Sequence, residues 1–279
     1  MIEFRDFSFK YKDGEKNALN QVNLTIKKGE FVGIIGNSGA GKSTFTYAIN
    51  GVIPHHYDGD FYGEVIVNGE DTVESSPTKL AQSIGSVFQD IDGQMVSSVV
   101  EDELLFGLEN FGVPHEEIES RIADILGMIG IEDLRYRNIS TLSGGQKQKV
   151  AIAAVVALMP DILVLDEPTA ELDPLSSLQI FGMLRMLNEK MGMTIVVVEQ
   201  KIMLLSEFAK RLLIINEGGV YLDGSPREVL KDTSKLLQIG VNCPRVASLA
   251  NDLYARKLYN GRIPVNIEEA ETMVRSVIL

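Results

Sequence analysis

The sequence has 279 residues, 45% of them hydrophobic, and a formal net charge of −13. This length supports one large core or a core with a small appendage, and the acidic total argues against broad nucleic-acid binding, which needs a basic footprint. No apolar run reaches the roughly 18 residues needed to cross a bilayer. The start, Met1-Ile-Glu-Phe-Arg-Asp, lacks a signal pattern, and the one cysteine, Cys243, has no partner in the chain, so a cytosolic location is expected.

In chain order, Ile2, Phe4, Phe7 and Phe9 alternate with polar residues, and the parity change at Asp6 predicts a bulged strand. Val22, Leu24 and Ile26 predict a second strand. The unbroken run Phe31–Ile35 predicts a buried one, followed by a helix over Lys42–Asn50 that ends near Gly51. His55 and His56 follow Pro54 in a loop-like stretch and read as solvated, not as a metal site. Glu64–Val67 and Ile84–Phe88 are further short strands. A helical stretch follows. Glu101, Asp102 and Glu103 open one helix, and Pro114 opens another with Ile118, Ile122, Ile125 and Leu126 on one face. Gly144–Leu158 is a third. Strands Ile162–Leu165, Thr194–Val198 and Leu212–Ile215 then alternate with helices Leu175–Lys190 and Met203–Ala209. That alternation implies a mainly parallel sheet with helical crossovers, interrupted by a helical subdomain at about 90–158. Arg227–Lys231 is a short helix. Pro244–Arg256 and Ile267–Val277 are amphipathic helices of a small appendage, which sets expected boundaries of 1–235 and 236–279.

Three motifs carry chemistry. Gly36-Asn37-Ser38-Gly39-Ala40-Gly41-Lys42-Ser43, continued by Thr44, lies between a buried strand and a helix and fits a phosphate loop. Its backbone N–H groups can cradle phosphates, Lys42 neutralises the outer ones, and Ser43 offers a hydroxyl to Mg²⁺. Ile162–Leu165 delivers Asp166 and Glu167 at a strand's C-terminal end, where ligands of parallel sheets bind. Asp166 is placed to hold Mg²⁺ and Glu167 to polarise an attacking water. Leu142-Ser143-Gly144-Gly145-Gln146 heads a helix capped by Ser143 and forms a second anion-binding start. One ATP does not need two such loops from one chain. A head-to-tail pair explains both, each ATP lying between one chain's phosphate loop and the other's Ser143–Gln146.

Over roughly residues 1–235 these motifs resemble the ATP-binding-cassette (ABC) ATPases. The resemblance implies their phosphate-loop fold: a mainly parallel α/β core sheet, N-terminal antiparallel strands and a helical subdomain. It places Tyr11 where an aromatic stacks on adenine. It places Gln89 where a glutamine contacts Mg²⁺ or the water and links to a membrane partner. Ala170-Glu171-Leu172-Asp173 corresponds to the loop that touches the opposite subunit, with Asp173 near its nucleotide. The stretches Phe88–Gln94, Val100–Glu103, Phe106–Asn110 and Asn50–Pro54, with the helical tail, are similar to the ATPases of energy-coupling factor (ECF) vitamin and metal transporters. That similarity implies a second ATPase chain, identical or paralogous, a transmembrane coupling protein and a membrane substrate-binding protein. It also implies a peripheral position on the cytoplasmic face of the cell membrane. The helical subdomain would receive the coupling protein, and the tail would help pair the ATPases.

Three positions depart from that pattern. Ile91 stands where proline is usual and is expected to loosen its turn. Lys149 replaces an arginine and loses a planar fork. Gln200, in Glu199-Gln200-Lys201, stands where a histidine contacts the γ-phosphate. Its amide can donate a hydrogen bond but cannot carry charge or pass a proton near neutral pH. The expectation is an ATP-driven transport motor with firm ATP binding and slowed turnover. The alternative is a regulatory subunit that lends Ser143–Gln146 to a partner's site. A soluble ABC ATPase of DNA repair or translation is disfavoured, because no coiled-coil or zinc insertion and no second cassette is present.

Overall fold

The computed structural model describes residues 1–278. Its N-terminal part comprises β1 (Ile2–Tyr11), β2 (Leu19–Ile26), β3 (Phe31–Ile35), α1 (Lys42–Ile49), the short α2 (Val52–His55), β4 (Gly59–Val67), β5 (Glu70–Asp71) and α3 (Pro77–Leu80). β6 (Ile84–Val87) leads into α4 (Ile91–Gln94), α5 (Val100–Asn110), α6 (His115–Ile129) and α7 (Gly144–Val156). Then come β7 (Ile162–Asp166), α8 (Pro174–Met191), β8 (Thr194–Val198), α9 (Ile202–Phe208), β9 (Arg211–Asn216) and β10 (Gly219–Gly224). The tail holds α10 (Pro226–Val229), α11 (Thr233–Gln238), α12 (Arg245–Ala255) and α13 (Ile267–Ile278).

Two sheets form. The first has the order β2-β1-β4-β5 and is antiparallel. The second has the order β10-β9-β3-β8-β7-β6, parallel except for the β9–β10 pair. β6 and β7 are neighbours in this sheet although all of α4–α7 lies between them in the chain, so the helical excursion leaves and re-enters at one sheet edge. In the core strands successive residues face opposite sides, as a period of two requires. Val32, Ile34, Val164, Val196, Val198, Leu213 and Ile215 pack with α1 and the antiparallel sheet. Phe31, Ile35, Leu163, Leu165, Ile195, Val197, Leu212 and Ile214 pack with the helices of the other face. Burial on both faces explains the unbroken apolar runs. Phe45 on α1 stacks on Phe4 at 4.4 Å between ring centres and joins the two sheets.

The bulge expected at Asp6 is present. Asp6 has φ 45, and the β1 register slips between Phe4 and Phe7. Phe88 does not extend β6, because its N–H donates to Gln94 Oε1 (2.9 Å) and so leaves the ladder. The turn at Ile91 closes without proline, since Asp90 Oδ1 accepts from Gly93 N (3.0 Å) and caps α4. β10 and α11 escaped the sequence reading. β10 is an edge strand with glycine at both ends and no buried residue, and its apolar text is only Val220-Tyr221-Leu222. α11 has a single buried residue, Leu236.

Candidate functional site

The phosphate loop leaves the C-terminal end of β3 and enters α1. Gly41 opens that helix with φ 104, and a Cβ there would lie 2.3 Å from the Ala18 carbonyl oxygen, so only glycine fits. Ser38, Gly39, Gly41, Lys42, Ser43 and Thr44 line a cleft of about 460 Å³ together with Tyr11, Gln89, Glu167 and Gln200. Lys42 is 8% exposed and donates from Nζ to the carbonyls of Gly36 (2.9 Å) and Asn37 (3.0 Å). Asn37 and Ala40, also expected to bind, turn their side chains elsewhere. Ala40 is buried in the core, and Asn37 Nδ2 donates to Ile239 O (2.5 Å) beyond α11. That link between the phosphate loop and the tail had no signal in the sequence.

Asp166 and Glu167 end β7 as expected. Asp166 is buried, and burial pushes its carboxyl above the usual carboxylate range. The charges of Glu167 and Glu199 add to that, while the Ser43 hydroxyl and the Lys42 ammonium oppose it. Ser43, Gln89 and Asp166 share a second cleft of about 760 Å³ that adjoins the first. These are hard oxygen donors of the kind Mg²⁺ takes, and a divalent cation beside Asp166 would offset the cost of its buried charge. No group of three or more His, Cys, Asp or Glu suited to a metal occurs among the described residues. The donor set therefore fits a hydrated Mg²⁺ shared with phosphate oxygens and no all-protein metal cage.

Glu167 has φ 48, a left-handed conformation rare for a side-chain-bearing residue and costing about 1–3 kcal/mol. Its N–H is held by Val198 O (2.9 Å). Its Oε1 accepts from Gln200 Nε2 (2.8 Å), so the two residues meet directly across adjacent strand ends. Tyr11 is half-buried, its hydroxyl 3.0 Å from Thr44 Oγ1, and burial pushes its pKa up. It lines the phosphate-loop cleft beside Tyr57, edge-on at 6.1 Å.

The second loop lies apart. Ser143 caps α7, its Oγ accepting from Gln146 N (3.4 Å) while its own N–H donates to Gln146 Oε1 (3.0 Å). Ser143 and Gly144 are exposed, and none of Ser143–Gln146 lines either cleft. Asp173 also lies outside both clefts. It caps α8, accepting at Oδ1 from Leu175 N (2.9 Å) and Ser176 N (3.0 Å), and the Ser176 hydroxyl holds its carboxyl below the usual range. Lys147 pairs with Asp92 at 2.7 Å and ties the start of α7 to the segment after Gln89. Sequence reasoning also passed over Glu199 and Lys201, which flank Gln200. Charged residues at a strand end look like ordinary surface charge until their partners are seen.

The ABC transporter family profile matches residues 19–170. A putative ABC transporter ATP-binding protein of Pyrococcus horikoshii is 40% identical over 98% of this chain and 96% of its own length. The energy-coupling factor transporter ATP-binding protein EcfA of Methanothermobacter thermautotrophicus is 38% identical over 91% of this chain and 80% of its own. Among solved structures, cbiO1 of Clostridium perfringens, part of the ABC transporter complex cbiONQ, superposes with a TM-score of 0.76 at 34% identity, covering 89% of this chain and 97% of that one. The ATP-binding cassette MJ0796, solved as a dimer bound to ADP and Pi, gives 0.69 at 32% identity, covering 81% of this chain and 99% of that one.

Proposed function

The chain belongs to the ABC transporter ATPase family, and from that premise we propose that it is the ATP-binding and ATP-hydrolysing subunit of an ECF-type importer. The observation that carries this reading is the convergence of Lys42, Ser43, Glu167, Gln200 and Gln89 on one cleft, with Asp166 in the cleft beside it. Bound MgATP supplies the phosphoryl group whose transfer to water releases the driving free energy. Lys42 exchanges the Gly36 and Asn37 carbonyls for the outer phosphates. Ser43, Asp166 and Gln89 hold Mg²⁺, and the backbone of Asn37–Thr44 cradles the phosphates. Glu167 orients the water, Gln200 steadies Glu167, and Tyr11 packs on the base. The chain's contribution is positioning and charge stabilisation.

The active unit in this reading is a dimer with another ABC ATPase, either a second copy or a paralogue. The Ser143–Gln146 start of α7, exposed at Ser143 and Gly144, together with Asp173, faces the partner's ATP. Its placement outside both clefts of its own chain supports this, as does the dimeric state of the MJ0796 cassette. In this reading the ATPase domain spans 1–235 with its helical subdomain at about 90–158, and a helical appendage spans 236–279. The kinship with EcfA and with cbiO1, part of a transporter complex, supports membrane partners in general; peripheral attachment at the cytoplasmic face of the cell membrane, a transmembrane coupling protein, a membrane substrate-binding protein and a vitamin or metal ion as cargo belong to this proposal. The test is Glu167→Gln. With ATP and Mg²⁺ this variant should shift from monomer to a stable dimer in size-exclusion light scattering. A variant that binds ATP and stays monomeric would sink the reading of a dimer of two copies, and one that also fails to dimerise with a co-expressed paralogue would sink the composite site.

One observation favours a slower, regulatory role. Gln200 donates a neutral amide to Glu167 where an imidazole could also carry charge. On that reading Gln200→His raises steady-state ATPase in the assembled complex, and an unchanged rate removes Gln200 as the limit.

A further inference from the structure

Three consecutive residues at the end of β8 make two different sets of contacts. Gln200 points at Glu167 (2.8 Å). Its neighbours on both sides grip one and the same segment, the loop from Thr169 to Asp173 and the first turn of α8. Lys201 uses all three donors of its ammonium group, to Thr169 O (2.6 Å), Leu172 O (3.0 Å) and Ser177 Oγ (2.9 Å). Glu199 is 1% exposed, and its carboxylate is shared. Oε2 accepts from the Thr169 hydroxyl (2.5 Å), and Oε1 accepts from the N–H groups of Gln200 (2.8 Å) and Lys201 (3.3 Å). Thr169 and Ser177 are buried, whereas Ala170, Glu171 and Asp173 are exposed. The loop is thus open to contact on its outer side and bolted to the Gln200 turn on its inner side.

An ammonium group that satisfies two backbone carbonyls and a hydroxyl fixes their positions relative to its own main chain. A buried carboxylate that accepts from both a side chain and the turn's N–H groups does the same from the opposite side. A displacement of Ala170–Asp173 therefore reaches the Gln200–Glu167 contact through charge-assisted hydrogen bonds and not through a flexible linker. We propose that Lys201, seconded by Glu199, is a positioning residue: it sets Gln200 against Glu167 according to where the Ala170–Asp173 loop lies, so that docking of a second ATPase on that loop brings this chain's own hydrolytic pair into register. The inference rests on the composite-dimer reading and assigns the side chain that reports dimer closure to the water-orienting carboxylate. Lys201 touches neither cleft, so it acts through Gln200 and Glu167.

The experiment compares the full-length purified chain with Lys201→Met, Ser177→Ala and the double variant. ATP affinity is measured by calorimetry in EDTA, and steady-state ATPase is measured with Mg²⁺ over a range of protein concentrations. The expected result for Lys201→Met is an ATP Kd within about twofold of the parent. Its kcat falls about ten- to a hundredfold, and the protein concentration giving half-maximal rate rises. Ser177→Ala should act in the same direction and more weakly, and Lys201→Met should cost less in the Ser177→Ala background, because the two residues share one contact. If Lys201→Met fails to fold, the Ser177→Ala shift in kcat at unchanged Kd carries the test alone. A folded Lys201→Met with kcat and concentration dependence unchanged overturns the inference, as does a loss of ATP affinity equal to the loss of kcat. A parent chain whose rate per molecule does not depend on concentration, alone and with a co-purified paralogue, overturns the composite-dimer reading, and the inference with it.

Discussion

Replacing Gly240 by alanine tests the link between the phosphate loop and the tail. Gly240 has φ +73, and a Cβ built on it lies 2.5 Å from Asn37 Nδ2 and 3.2 Å from Asn37 Cγ. Holding alanine in the left-handed region costs about 1–2 kcal/mol. Moving Asn37 aside to clear the methyl group breaks its hydrogen bond to Ile239 O, a further loss of about 0.5–1.5 kcal/mol. Gly130 is the matched control: it has the same φ of +73, and a Cβ there meets nothing within 4 Å. Gly130→Ala therefore carries the backbone cost alone, and the small gain from a stiffer unfolded chain is common to both variants. Urea unfolding should show Gly240→Ala less stable than Gly130→Ala by about 0.5–1.5 kcal/mol. The gap should close when Asn37→Ala is added to both. Equal losses in the two single variants would mean that Asn37 does not bind the tail, and the reasoning would be refuted.

Two more outcomes follow from the tail and its docking. Arg227 grips Glu269 through two hydrogen bonds (2.6 and 2.8 Å) and holds its carboxyl below the ordinary value of 4.5. A depressed carboxylate contributes stability above its unfolded pKa and loses it as pH falls through the folded one. The urea stability lost in Glu269→Gln, below about 1 kcal/mol for so exposed a pair, should be full at about pH 6 and shrink below 4.5; a loss independent of pH would contradict the assignment. Burial pushes the Cys243 thiol up to about 11. Iodoacetamide at about pH 8 should therefore label it far more slowly than a free peptide thiol, and urea that unfolds the tail should restore the rate; fast labelling of the native chain would show the thiol to be open.

Much of the candidate site is legible in the sequence because its parts are local. Gly36–Thr44 announces a phosphate loop through glycine spacing between an apolar run and a helix. Ile162–Glu167 announces a buried strand that delivers two carboxylates. Ser143 and Gln146 form a capping box within four consecutive residues. Each of these is a backbone conformation dictated by neighbours a few residues away. The alternation of apolar residues likewise determines which faces of β1 and β2 go inward. Tertiary structure alone decided the rest. Asn37 meets Ile239 across 202 residues of chain, and Lys201 meets Ser177 across 24. Glu199 and Lys201 are charged residues whose partners are mostly backbone carbonyls and N–H groups, with two hydroxyls, and backbone groups are present at nearly every position of any sequence. Only the fold selects among them. The phosphate loop and the paired carboxylates were therefore readable from residue types, while the bolts that hold Gln200 to the Ala170–Asp173 loop depend on which strand ends the sheet order brings side by side.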